Sequence, residues 1–182
     1  MPLEPLPQLR RVVTAIDAEG RSYIAEEGPS PASFTLPGSP YRNDNLWRTG
    51  AAPSPIAAPD DIIAHRGVLP PAGGSVLRVI DFPPMAGSRE EQAALAARVF
   101  ATLYPDAEHH AGSSRSASMH TTDTIDYAIV LAGEIWAVMD RDETLLRAGD
   151  VLIQRGTAHG WENRSAAMAR VIFVLIDAAR SG

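Results

Sequence analysis

Two stretches in the C-terminal third decide the fold: Met119–Glu134, MHTTDTIDYAIVLAGE, and Gly149–Asn163, GDVLIQRGTAHGWEN. Both are rich in β-branched and aromatic residues, and glycines or short polar runs interrupt them, which is typical of strands and turns. The first stretch predicts two short strands that turn at Thr124-Ile125. It carries a histidine and a carboxylate, and the second stretch carries another histidine. This pairing indicates the fold more specifically than it indicates the chemistry.

Strand signals continue on both sides of these stretches, with a turn about every ten residues. Candidate strands cover residues 116–122, 126–132, 134–139, 143–147, 150–154, 159–162 and 168–177. No helical pattern interrupts them, so we expect antiparallel connections and a β-sandwich or barrel. The last strand is nearly all apolar and is predicted to be buried on both faces.

The N-terminal part of the chain predicts an extension to this β-rich region. Residues 11–16 and 21–26 are β-rich and are joined by a turn that contains Gly20, the pattern of a hairpin. Because an isolated hairpin is only marginally stable in water, it is expected to pack on the main sheet or on a partner subunit. We therefore divide the chain into an extension, residues 1–70, and a β-barrel domain, residues 71–182.

One strand and one helix precede the C-terminal strands. Residues 76–82 predict a strand on which Arg78 shares a face with apolar side chains. Arg78 therefore either points into a cavity as the partner of an anion or forms a salt bridge at the rim. Ser88 and Glu91 match a capping box, so a helix is expected over residues 88–104.

Composition narrows the range of partners. The chain has 182 residues, 16 basic and 22 acidic side chains, a net charge of −6 and no cysteine. This excess of acidic residues argues against a surface that binds nucleic acid or anionic membranes. The lack of cysteine excludes disulfides and thiolate chemistry. No apolar run approaches the ~20 residues of a membrane span, and the N-terminus lacks the features of a signal peptide. We expect a cytoplasmic protein with a small-molecule substrate.

The region from Ser116 to Ala178 resembles the cupins. The first cupin motif ends in a glutamate followed after six residues by glycine, and here Asp126 precedes Gly133 by the same interval. The second motif runs from Gly-Asp to a histidine and, three residues later, an asparagine. Gly149-Asp150 and His159-Gly160-Trp161-Glu162-Asn163 match it, although the interval is one residue shorter than usual and the usual proline is missing.

The resemblance implies a mainly β fold, a cupin-type double-stranded β-helix or jelly roll, with an N-terminal hairpin extension and one inserted helix. It also implies a site. Counting back from Asp126 at the family's glutamate position, His120 and Thr122 occupy the positions of two histidines. His159 stands where the family has its third histidine.

A typical cupin metal site has three histidines and one carboxylate, and this chain keeps His120, His159 and Asp126. Two imidazoles and one carboxylate match the ligand set of non-haem iron, and zinc, manganese or nickel could also bind them. Because aspartate is one methylene shorter than glutamate, a metal ion needs a backbone shift or a bridging water. Without metal, the same groups form an acid–base cluster. A purely structural alternative is that they only satisfy one another in the core.

Four further residues are candidates for substrate binding. Thr122 and Trp161 share strand faces with the two histidines by alternation, so both are expected to line the pocket. Arg78 and Arg155 are candidate contacts for an anionic group of the substrate.

Cupins include enzymes of several classes and non-enzymatic binders, so three hypotheses for function follow. The first is a lyase or isomerase that decarboxylates, dehydrates or isomerises a small carbonyl- or carboxylate-bearing molecule. The second is a non-haem iron dioxygenase with His120, Asp126 and His159 as ligands. The third is a non-catalytic cupin that binds a small molecule. The hairpin and the apolar last strand also predict a homodimer.

Overall fold

Antiparallel β-sheets form the body of the protein in a computed structural model, which describes residues 4–180. The strands are β1 Arg11–Ile16, β2 Ser22–Gly28, β3 Ala32–Thr35, β4 Arg42–Thr49, β5 Ser75–Phe82, β6 Glu108–His109, β7 His120–Thr121, β8 Thr124–Ala132, β9 Glu134–Met139, β10 Glu143–Arg147, β11 Val151–Arg155, β12 His159–Glu162 and β13 Ala169–Asp177. A 3-10 turn covers Ile62–Ala64 and the α-helix α1 covers Arg89–Leu103.

Two of the sheets enclose the core. The six-stranded sheet has the order β11-β8-β13-β5-β4-β3, and the five-stranded sheet has the order β10-β9-β12-β7-β6. Side chains from both inner faces form one apolar cluster, in which Ala128 and Val171 of the first sheet meet Ile135 and Ala137 of the second. The fold is the predicted mainly β jelly roll, with the predicted hairpin and a single inserted helix in the described part of the chain.

Most elements lie within a few residues of the predicted bounds because their signals are local. The hairpin β1–β2 turns through Gly20, which adopts a φ of 80°, a conformation that favours glycine. At the start of α1, the Ser88 hydroxyl accepts a hydrogen bond from the Glu91 N–H, and the Glu91 carboxylate accepts one from the Ser88 N–H at 2.6 Å. The turn predicted at Thr124-Ile125 is displaced, since β8 already begins at Thr124.

The proposed division at residue 70 is wrong for two strands. β3 and β4, assigned to the extension, pair with each other and β4 pairs with β5 in the six-stranded sheet. The buried positions of β4 include the polar residues Asn43, Asp44 and Asn45, each no more than 3% exposed. A strand with buried polar side chains lacks the apolar pattern that marks a core strand in sequence. Of the four strands described before residue 70, β1 and β2 form a two-stranded sheet of their own.

The last strand is not buried on both faces, contrary to the prediction. β13 lies in the interior of the six-stranded sheet between β8 and β5, and its residues alternate between buried and half-buried. One face therefore contributes to the core and the other belongs to the outer surface of the sheet. No helix within residues 4–180 has the length and apolar character needed to cross a membrane.

Candidate functional site

A cavity of about 800 Å³ lies between the two sheets. The six-stranded sheet lines it with side chains of β5, β8 and β13, the five-stranded sheet lines it with β7 and β12, and α1 lies along one side. Met85, Leu95 and Arg98 line the cavity and are exposed to solvent, so its open end lies beside α1. The volume is within the usual range for sites that bind small molecules.

Two histidines lie next to each other on the five-stranded sheet. His120 of β7 pairs directly with His159 of β12, and their ring centroids are 4.2 Å apart. His120 Nδ1 lies 2.8 Å from the Ser118 carbonyl oxygen, and His159 Nδ1 lies 3.0 Å from the Thr157 carbonyl oxygen. Because a carbonyl oxygen can only accept, each Nδ1 carries the proton and donates it, and each Nε2 keeps a free lone pair.

Burial keeps both imidazoles neutral. Desolvation lowers the pKa of His159 to about 4. Desolvation, reinforced by the proximity of His159, lowers the pKa of His120 to about 3. At neutral pH both rings are therefore hydrogen-bond acceptors at Nε2 and weak bases.

Asp126 faces this pair from the other sheet. It lies on the inner face of β8, is 4% exposed and lines the same cavity. Among residues 4–180, no hydrogen-bond donor is within reach of its Oδ1 atom. Burial raises the pKa of Asp126 to about 6, well above that of a carboxyl group in water. The carboxyl group can therefore gain or lose a proton close to neutral pH.

The predicted metal ligands do not converge on one point. Within the described chain, no group of three or more His, Cys, Asp or Glu side chains is arranged to hold a metal ion. His120 and His159 extend from one sheet and Asp126 from the facing one, and the aspartate side chain is one methylene shorter than the glutamate usual in the family. The residues as arranged do not fit a three-ligand metal centre.

Comparison with known proteins identifies the family. No family model matches the chain. Phomopsin biosynthesis cluster proteins C′ and D of Diaporthe leptostromiformis are each 33% identical over 183 residues, covering 94% of this chain and 82% of each relative. A cupin-domain-containing oxidoreductase of Aspergillus ruber is 27% identical over 183 residues, covering 97% of this chain and 76% of the relative. The chain belongs to the cupin superfamily.

A solved cupin barrel is also similar in structure. The Cupin 2 conserved barrel domain protein of Salinispora arenicola has a TM-score of 0.40 and 14% identity, over 76% of this chain and 77% of that one.

The predicted substrate-binding residues of this cupin separate into two groups. Thr122, Trp161 and Arg78 line the cavity. The Trp161 ring lies edge-on to His159 at 5.9 Å, and Thr122 pairs its hydroxyl with that of Thr124 at 2.7 Å. Arg155 is exposed on β11 and does not line the cavity, because strand alternation turns its neighbour Gln154 inward instead. The anion contact proposed for Arg155 is therefore wrong.

Three buried residues around Arg78 were not predicted from the sequence. His65 accepts a hydrogen bond from Arg78 Nη2 at 3.1 Å, and the Arg78 guanidinium lies 5.6 Å from the centre of the Tyr104 ring. Tyr41 and Tyr104 join their hydroxyl groups at 2.6 Å and both line the cavity. No periodicity marks these residues, since they come from a loop and from the ends of elements that meet only in the folded chain.

Proposed function

We propose that this cupin is an enzyme that transfers protons on a small organic molecule with a carbonyl or carboxylate group, in a reaction of the lyase or isomerase type. The main support for this proposal is the set of buried polar side chains that line the cavity. A carboxylate with an unpartnered oxygen faces two neutral imidazoles across a mainly apolar space. Burying such groups is unfavourable, and a packed core would use apolar residues at these positions.

The pKa values favour a particular division of roles. Asp126, with a pKa of about 6, is a stronger base than His159, at about 4, or His120, at about 3. We therefore assign Asp126 as the group that removes a proton from the carbon beside a carbonyl, and the imidazoles as acceptors for a substrate hydroxyl.

The proton transfer leaves an enolate, and the cation of Arg78 in the same cavity offsets the added negative charge. The electrons of the broken C–H bond move to the carbonyl oxygen, where the charge of a guanidinium lowers the energy of the intermediate. Protonation at another carbon completes an isomerisation. Loss of a neighbouring hydroxyl group, together with the proton now on Asp126, completes a dehydration.

Hydrogen–deuterium exchange tests this proposal even though the natural substrate is unidentified. The protein is incubated in D₂O with β-keto acids, β-hydroxy ketones and β,γ-unsaturated ketones, and NMR follows deuterium at the α-carbon and loss of CO₂ or water. We expect exchange or turnover in at least one class, reduced at least ~100-fold in Asp126→Asn and ~10-fold in His159→Gln. Arg155→Gln, outside the cavity, serves as the matched control. Rates that are equal in wild type and Asp126→Asn would contradict the proposal.

Oxidoreductase chemistry is the second candidate, because relatives named cupin-domain-containing oxidoreductases match nearly the whole chain. As a non-haem iron dioxygenase, the protein would consume oxygen with its substrate, which the lyase or isomerase hypothesis does not predict. Elemental analysis of protein purified without a metal-affinity column, together with an oxygen electrode, separates the two candidates. Stoichiometric iron with oxygen uptake would favour oxidation and would count against the acid–base proposal.

A further inference from the structure

Arg78 is a buried cation that forms no salt bridge in the described chain, although its charge acts on Asp126 in the same cavity. It is 1% exposed, and none of the ion pairs formed by residues 4–180 includes it. Its Nη2 atom donates to His65 Nε2 at 3.1 Å and to the Val68 carbonyl oxygen at 2.9 Å. Its other two nitrogens, Nε and Nη1, have no hydrogen-bond partner there. Leaving buried donors on a charged group unsatisfied is strongly unfavourable, so a ligand is expected to complete this site.

His65 holds the guanidinium in place by remaining neutral. Arginine can only donate, so His65 Nε2 must be the acceptor and cannot carry a proton. Burial, assisted by the charge of Arg78, lowers the pKa of His65 to about 4, which is consistent with that role. His65 thus acts as a positioning residue that fixes Nη2 while Nε and Nη1 stay free.

The tyrosine pair supplies one more donor. Tyr41 and Tyr104 are both buried, and their hydroxyl oxygens are 2.6 Å apart. One hydroxyl donates to the other, so the second hydroxyl keeps a hydrogen for a further acceptor. The Arg78 guanidinium and this hydroxyl pair therefore both offer hydrogen-bond donors to the same cavity.

We infer that the ligand of this cupin carries a carboxylate on an apolar body, and that Arg78 with the Tyr41–Tyr104 hydroxyl pair binds that carboxylate. A carboxylate only accepts hydrogen bonds and carries a single negative charge, whereas a doubly charged phosphate would bring more negative charge into the cavity of Asp126. Ile80, Phe173 and Leu175 line the same cavity and suit an apolar body. The inference rests on the proposed function, since it assumes that the cavity is the substrate site.

Isothermal titration calorimetry with matched probes tests the inference. The probes are benzoate, 3-phenylpropionate, 4-phenylbutyrate and 5-phenylvalerate, each compared with its uncharged primary amide. We expect at least one carboxylate to bind the wild type ten-fold or more tightly than its amide. Arg78→Gln is expected to reduce this ratio to about one, and Arg155→Gln is expected to leave it unchanged. If no carboxylate exceeds its amide, or if the preference survives in Arg78→Gln, the inference is overturned.

A second variant covers the case in which Arg78→Gln does not fold. The double variant Tyr41→Phe/Tyr104→Phe keeps both rings and removes the free hydroxyl donor. We expect it to melt cooperatively and to lose several-fold of the carboxylate preference while retaining affinity for the amide. An unchanged preference in this folded variant would remove the tyrosine pair from the site and contradict the inference as stated.

Asp126→Asn separates the inference from the proposed function. If Asp126 is the catalytic base, this variant loses exchange activity. Its preference for carboxylates should nevertheless persist or increase, because the substitution removes a negative charge from the cavity that holds the ligand. A wild type that catalyses exchange but shows no carboxylate preference refutes only the inference. A preference without any exchange in the wild type refutes only the proposed function.

Discussion

Burial, rather than bulk water, determines the charge of the ionisable side chains in the cavity. His120 and His159 are neutral because a buried imidazolium would lose its hydration, and Asp126 holds its proton up to a pH of about 6 for the same reason. The shifts that suit these groups to proton transfer also affect folding, since each reflects a difference in proton binding between folded and unfolded chains.

The two types of shift act on stability in opposite directions. The pKa of each histidine is lowered from 6.5, so the unfolded chain binds more protons below that pH and stability falls on acidification. The pKa of Asp126 is raised from 3.8 to about 6, so its unfavourable contribution is present above pH 6 and disappears as the pH falls towards 3.8. Asp126 therefore partly compensates for the histidines in acid.

We predict that Asp126→Asn is more stable than wild type at pH 7, by up to ~3 kcal/mol for a shift of about two pKa units. We also predict that it loses stability more steeply than wild type between pH 6 and pH 4. Urea unfolding at pH 7, 6, 5 and 4 measures both effects, with the exposed Asp140→Asn as control. Parallel pH profiles for Asp126→Asn and wild type would show that Asp126 titrates normally.

A second residue-level prediction concerns Asp81, which is 2% exposed and joins two arginines. It accepts from Arg42 Nη2 at 2.6 Å and from Arg170 Nε at 2.6 Å. Asp81→Asn leaves both cations without their shared counter-charge, so we expect a loss of roughly 3 kcal/mol in urea unfolding. Glu27→Gln, in a solvated pair with Arg10, should change stability by less than ~1 kcal/mol. Equal losses in the two variants would contradict this difference.

At the level of elements, the inserted helix α1 connects folding to the cavity. Its residues Gln92, Ala96, Val99 and Phe100 line the cavity, and its N-terminus is held by the capping box of Ser88. The helix covers one side of a space that the two sheets leave open. Local stability of α1 should therefore influence ligand binding as well as unfolding.

We predict that Ser88→Ala lowers the unfolding free energy by about 1 kcal/mol, because the N–H of Glu91 loses its acceptor. The same substitution should weaken binding of 4-phenylbutyrate, or of whichever carboxylate probe binds best, since the first turn of α1 frays. Thermal unfolding and calorimetry measure the two effects. Ser114→Ala, at an exposed position, is the control. A lower unfolding free energy with an unchanged affinity for the carboxylate probe would show that α1 does not contribute to the site.

At the level of the whole molecule, the outer surface of the six-stranded sheet is unusually apolar. We define the outer patch as the exposed apolar residues of β8 and β11 on this surface, which are between 38% and 57% exposed. They are Ile125, Tyr127, Leu131, Val151 and Ile153. Ile153 pairs directly with Tyr127, and β11 is an edge strand. Exposed apolar patches of this kind often mark protein contacts. The patch supports the homodimer expected from the sequence, which stays a prediction.

We predict that the wild type has a solution mass of about twice 19.4 kDa and that Ile153→Lys is a monomer. Light scattering after size-exclusion chromatography measures the mass. Ile56→Lys replaces a fully exposed isoleucine in a loop outside the outer patch and should remain a dimer. A monomeric wild type, or a dimeric Ile153→Lys, would exclude the outer patch as the interface.

The sequence by itself determined the features that depend on neighbouring residues. Strand alternation, the glycine turn of the hairpin and the capping box of Ser88 are local patterns, so those elements lie close to the predicted bounds. The spacing of the cupin motifs identified His120, Asp126 and His159. Strand pairing brings residues at these sequence intervals to the walls of one cavity. The outward direction of Arg155 also follows from alternation with Gln154, a local signal that the prediction for Arg155 left out.

Only the tertiary structure decided which polar groups meet and in what state. β4 belongs to the sheet although its buried residues are polar, and Arg78 acquires His65, Tyr41 and Tyr104 as neighbours from distant parts of the chain. The three predicted metal ligands do not converge because His120 and His159 lie on one sheet and Asp126 lies on the facing sheet. Contacts between segments far apart in sequence decide which groups are buried, and desolvation then favours the neutral form of each buried histidine and of Asp126.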